Sequence, residues 1–169
     1  MDAASHFATL ACYNVWATQR LLDAVALLDD HTYRRDLGLF FRSVHGTLNH
    51  LRVGEHLLWF RRFSEGVSPM VQLDAEAEPD RQALAQRLTD GAAQWEPYLR
   101  ALPEPRFAST IDYVSTKGVA TSLPFASTLA HVFNHGTHHR GQITAELTAQ
   151  GLPCPQLDLV YFLQMEATK

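Results

Sequence analysis

Four of the nine histidines fall between His131 and His139, in the stretch HVFNHGTHHRGQITAELTAQG that ends at Gly151. A histidine nitrogen bonds a borderline divalent cation well. His135 and His139 stand four apart, a step that turns an α-helix by about 400° and brings both rings onto one face. Two imidazoles on one rigid helix lose little freedom when an ion binds, so the pair can supply half of a metal site. Spacing alone leaves a choice, because His131 with His135 is a second i, i+4 pair and His135 with His138 an i, i+3 pair. Gly136 and Gly141 strengthen the case for a site. Each costs about 1 kcal/mol relative to alanine inside a helix, and such a violation of local propensity belongs where close approach or function outweighs stability.

A third ligand must come from another element. On the helix expected from about Phe40 or Ser43 to Phe63, Phe41, Val44, Leu48, Leu51, Glu55 and Leu58 trace a mainly apolar face. Beside it runs a stripe of Ser43, Gly46 or Thr47, His50 and Gly54. His50 is thus flanked by residues too small to block a neighbouring helix or a ligand. His45 and His56 lie roughly 140° and 120° around the helix from it, so the three cannot serve one centre. Those two are expected to be surface or core-packing residues.

Other elements must position these. From about Ala3 to Leu28, apolar residues recur at helical steps through Leu10, Tyr13, Ala17, Leu21 and Ala24, and Trp16 and Leu22 widen the face for packing on two neighbours. A connection follows from Asp29 to about Gly38. A polar connection opens at Glu65 and Gly66. The third helix starts near Pro79 or Asp80 and runs to about Leu102, with Pro97 expected to kink or break it. From Ser109 to Leu123 the period changes to alternation, and Lys117-Gly118 offers a turn, so a short hairpin is expected to cap the bundle or screen a pocket mouth. Pro124 leads into the histidine-bearing helix, which ends at Gly151, and about Gln156 to Met165 reads as a short closing helix.

The 169 residues are expected to form a single domain, with 46% hydrophobic and 19% charged residues as in an ordinary globular chain. Fourteen basic against eighteen acidic residues give a net charge of −4, so no basic field favours a nucleic-acid partner. Cys12 and Cys154 form no Cys-x-x-Cys pair and read as inert thiols. Asp2 stands where a signal peptide needs positive charge, and no apolar run approaches the roughly 18 residues of a membrane span. A cytoplasmic protein with no membrane partner is expected.

The segments YNVWATQRLLDA, GTLNHLRVGEHLLW, HVFNHGTHHRGQI and GLPCPQLDLVYFL, spread over nearly the whole chain, resemble those of the DinB-like metalloproteins. The resemblance implies an all-α fold, an up-down-down-up four-helix bundle with a β-hairpin before the fourth long helix and a short C-terminal helix. It also implies a divalent ion, nickel or zinc, held by one histidine of the second helix and a His-x-x-x-His pair of the fourth. These fall on His50, His135 and His139, with no ligand role for His131 or His138. Where many relatives carry an acidic residue followed by arginine, this chain has Glu55-His56. Glu55 is expected to be a solvated or bundle-capping carboxylate, with a supporting role behind the ligands as the alternative.

Three histidines on one ion leave a position for water or substrate. The resemblance implies a transferase in which the metal activates a low-molecular-weight thiol against an electrophilic small molecule. Metal-assisted hydrolysis is the second chemistry and wants a general base, for which Glu55 and Glu146 are available. A non-catalytic metal-binding stress or interaction protein is the third reading. A homodimer is implied by the same family likeness, with the first and fourth helices as candidate surfaces.

Overall fold

Helix α1 (Ala3–Val25) starts where the Asp2 carboxylate accepts a hydrogen bond from the Ser5 amide at 2.7 Å. The computed structural model describes residues 2–168. A one-turn helix, α2 (Asp30–Arg34), is capped in the same way by Asp29 and occupies a stretch expected to be only a connection. The second long rod, residues 44–64, is built from α3 (Val44–Leu51), a π-helical segment (Arg52–Phe60) and α4 (Arg61–Ser64). Ser43 caps it by accepting from the Gly46 amide. The third rod is α5 (Arg81–Ala93), capped by Asp80, followed by α6 (Trp95–Arg100). Pro97 produces the expected break one turn before itself, because its ring collides with the carbonyl four residues back and so ends α5 at Ala93. Strands β1 (Thr110–Val114) and β2 (Ala120–Pro124) form the antiparallel hairpin, with Thr110 opposite Pro124 and Val114 opposite Ala120. The fourth rod, α7 (Phe125–Ala149), stops before Gly151, whose φ of 70° is one glycine adopts freely. Helix α8 (Leu159–Glu166) closes the chain.

Two apolar clusters fix the directions of the rods. At one end Phe7 and Ala11 of α1 pack with Phe63, with Trp95 and Leu99 of α6 and with Phe125 of α7. At the other end Leu21 and Val25 pack with Val44 and Leu48, with Leu84 of α5 and with Ile143 and Leu147 of α7. The first and fourth rods therefore run one way and the second and third the other, which is the up-down-down-up arrangement. Outside the bundle, Phe162 of α8 packs on Tyr13 and Trp16 of α1, and the Tyr13 hydroxyl donates to the Leu157 carbonyl at 2.6 Å. Among the described residues no helix is long and apolar enough to cross a membrane.

His56, from the second rod, packs so closely on α5 that a Cβ added at Gly91 would lie 1.4 Å from its Nδ1. Gly91→Ala is expected to lower stability by about 1–3 kcal/mol, because overpacking outweighs the gain of up to about 1 kcal/mol in helix propensity. A lower urea midpoint at unchanged slope would register the effect.

Candidate metal centre

The hydrophobic clusters leave a polar level halfway along the bundle, where His50 of α3 meets His135 and His139 of α7. The Nε2 of His135 lies 3.1 Å from the Nε2 of His50 and 3.1 Å from that of His139, and ligand atoms of all three lie within 4.8 Å of one another. Two nitrogens bound at about 2.0–2.1 Å to one tetrahedral ion stand roughly 3.3 Å apart, so the spacing fits a shared ion. Hydrogen bonds at the far side of two rings aim their lone pairs inward. His50 Nδ1 faces the Leu73 carbonyl at 2.7 Å, and a carbonyl only accepts, so Nδ1 carries the proton and Nε2 is left as a donor to a metal. His139 Nδ1 likewise donates to the Gln142 amide oxygen at 2.8 Å. Phe41 stacks on the His50 ring, with centroids 3.7 Å apart, and closes one side.

Gly54 faces the His135 ring: a Cβ there would stand 3.4 Å from it, in ordinary van der Waals contact, so the second and fourth rods meet at this level. Burial, then repulsion from neighbouring imidazoles, pushes the pKa of His135 down to about 3. Burial lowers His139 to about 4 against the opposing bond to Gln142, and lowers His50 against its bond to Leu73. The site is therefore a set of neutral nitrogens at physiological pH.

The sign of the resulting pH dependence follows directly. Unfolded histidines take up protons near the ordinary 6.5, whereas folded His135 and His139 do so only near 3 and 4. Between those values the unfolded chain binds more protons, so the folded state loses stability as pH falls from about 6.5 toward 4. Metal-free protein is expected to show a falling urea midpoint over that window, with a shallower fall in His135→Ala.

Behind the histidines lies a buried polar chain. Asn14, Glu55 and Arg140 are 0%, 3% and 2% exposed. The Asn14 amide nitrogen donates to Glu55 Oε1, and Arg140 Nη1 donates to Asn14 Oδ1 at 2.5 Å. Arg140 Nη2 also donates to the Thr137 hydroxyl at 3.2 Å. Gly136 makes room for the group, since a Cβ there would lie 3.1 Å from Arg140 Nη1 and 3.3 Å from Glu55 Oε2. Glu55 is thus neither solvated nor a bundle cap, contrary to expectation. It ties the second rod to α1 and to the turn of α7 that bears the histidine pair. Asn14 and Arg140 escaped sequence reasoning, although Arg140 directly follows His139 and stands one turn from Gly136.

The other histidines stay apart from the cluster. His45 is buried and bonded to Glu76 at 2.7 Å, His56 packs on α5, and His138 is exposed and faces the Gln142 amide at 3.3 Å. The His131 ring centroid lies 5.6 Å from that of His135. Gly141 proves unrelated to the cluster and lines a cavity of about 800 Å³ against the opposite side of α7 with Tyr13, Leu157 and Cys154. The α7 backbone separates that cavity from the three nitrogens. Glu146 is engaged by Gln150, whose side-chain nitrogen donates to it at 2.7 Å.

The model of the DinB family matches residues 2–169, effectively the full length. The chain belongs to the DinB family. It is 28% identical over 166 residues to Protein DinB of Bacillus subtilis (strain 168), covering 93% of each protein. Among solved structures it is similar to YfiT from Bacillus subtilis, described as a probable metal-dependent hydrolase with an unusual four-helix bundle topology. That match has a TM-score of 0.67 over 89% of each chain at 14% identity, and it supports the four-helix bundle as the fold of this DinB-family chain. With three convergent neutral imidazoles in such a bundle, the centre is suited to bind a divalent metal ion.

Proposed function

We propose that this DinB-family protein is a metal-dependent enzyme that joins a low-molecular-weight thiol to an electrophilic small molecule, with His50, His135 and His139 as the ligands of a zinc or nickel ion. One observation carries the reading: three lone pairs converge, and among the described residues the cluster holds no fourth protein donor. An ion held there would lower the pKa of a thiol or water that reaches its open position.

The protein's own part is positioning. The Leu73 carbonyl and Gln142 hold two imidazoles in the ligating tautomer, and Phe41 keeps water from one flank. The thiol gives up its proton, its sulfur forms the new bond to the electrophilic carbon, and the leaving group or the adjacent atom of an unsaturated acceptor takes the electron pair and a proton. Neither cysteine of the chain is needed.

Hydrolysis is the second reading, favoured by the description of YfiT. It asks for a general base beside the bound water. The two carboxylates nominated for that role are engaged elsewhere, Glu55 with Asn14 and Glu146 with Gln150. Thiol transfer needs no such base and ranks first.

The test is turnover by zinc- and nickel-loaded protein supplied with a panel of thiols and an electrophile such as a chlorodinitrobenzene, beside His139→Ala. Turnover above the uncatalysed rate in the wild type, absent in the variant, is expected. No acceleration with any thiol, alongside metal-dependent ester or amide hydrolysis, would replace the first reading by the second.

A further inference from the structure

A cavity of about 400 Å³ lies one helical turn along α7 from the three histidines, beneath the β-hairpin. Its walls are rings: Trp59 from the π segment, Tyr113 from β1 and His131 from α7, with Leu123 at the rim and Thr128 beside it. Trp59 meets Tyr113 edge to face at 5.2 Å and His131 edge to face at 5.6 Å. His131 joins this cavity to the metal centre, because its other neighbour is the His135 ring at 5.6 Å.

Two polar groups nearby are already engaged. The Thr128 hydroxyl donates to the Pro124 carbonyl at 2.8 Å. Arg62, only 5% exposed, lays its guanidinium 4.7 Å from the Trp59 ring centre and 4.5 Å from that of Tyr113, and donates to the Val114 carbonyl. It stiffens the aromatic wall and offers little to an anion in solution. The π-helical winding contributes as well, since its i→i+5 bonding places Trp59 about one turn beyond Gly54, the residue against the His135 ring.

We propose that the Trp59–Tyr113–His131 cavity seats a flat apolar ring of the substrate, carried within about one helical turn, roughly 6 Å, of the atom that reacts at the three histidines. This rests on the metal-centre reading above and adds the chemical class of the molecule to it: an aryl-bearing electrophile. Aromatic walls in edge-to-face array accept another ring by its face or edge, and with Leu123 and Pro124 they make a mainly apolar lining that disfavours a charged group.

Hydroxamates give a probe whose head binds metal and whose tail can be changed. Calorimetry on zinc-loaded protein would compare acetohydroxamate with 3-phenylpropionohydroxamate, in the wild type, in Tyr113→Ser and in the rim variant Leu123→Glu. The aryl probe is expected to bind the wild type at least about tenfold tighter, as when most of one ring's apolar surface leaves water. In both variants that advantage should shrink to under about threefold while acetohydroxamate affinity holds within about twofold. If either variant fails to fold, the other decides. Equal affinity of the two probes for the wild type, or an advantage that survives in the folded variants, would overturn the cavity as the ring's seat and leave the metal centre standing. Failure of acetohydroxamate itself to bind zinc-loaded wild type would overturn the metal-centre reading, and this inference with it.

Discussion

Arg140→Met is expected to lower folding stability by about 3–5 kcal/mol, the range for removing one partner of a buried charged group. Methionine keeps most of the volume but withdraws the cation and its bonds to Asn14 and Thr137. Glu55, 3% exposed, keeps its bond from the Asn14 amide but loses the nearby cation that offsets its charge in a low-dielectric interior. The size of the effect tells a buried network from a surface ion pair, whose loss costs about 0–1 kcal/mol. Removing both ends should be milder than removing one. Arg140→Met with Glu55→Leu is expected to recover at least about half of the loss, since neither charge then stays stranded. Urea unfolding of the two single variants and the double variant measures this, and additive losses would show that the two groups are not energetically coupled.

His135→Ala is expected to weaken zinc or nickel binding at least about a hundredfold, beyond the 10–100-fold that accompanies loss of a supporting partner. His135 is the centre of the cluster, its Nε2 being 3.1 Å from each of the other two nitrogens. Gln142→Leu should fall inside the 10–100-fold range, because it removes only the acceptor that orients His139. Competition with a chromophoric chelator gives both affinities on one scale. His135→Ala should also gain stability over the metal-free wild type at low pH, since it deletes the imidazole that burial and its neighbours hold at a pKa of about 3.

What sequence reasoning could read depended on how local the cause was. Helix α7 was legible from Pro124 to Gly151 because a start signal, a 3.6-residue period and a left-handed stop are all local. The hairpin followed from alternation around Lys117-Gly118, and Gly118 does adopt a φ of 78°. The π winding of Arg52–Phe60 was not legible. An extra residue per turn leaves no mark in composition and is maintained by packing between rods. The short helix α2 was hidden in a stretch that breaks the apolar period, although Asp29 two residues before His31 was an available cap.

At the site, spacing nominated a stripe of histidines and small neighbours nominated His50, but the choice among the pairs came from family likeness. The structure brings His50, His135 and His139 together and leaves His131 and His138 outside. Glu55 shows the opposite limit. A carboxylate among leucines reads as an exposed exception until its partner Asn14, 41 residues away in the chain, is seen beside it, with Arg140 bonded in turn to Asn14. Long-range polar partnership has no period for a sequence to display.

Metal content per chain tests the central claim most directly. Plasma mass spectrometry on untagged protein, purified without an immobilised-metal column, would compare the wild type with His139→Ala after equal exposure to zinc and nickel and removal of unbound ion. About one divalent ion per wild-type chain, lost in the variant while its circular dichroism stays helical, is the predicted result for a single three-histidine centre. Metal-free wild type after reconstitution, or equal metal in both proteins, would contradict it.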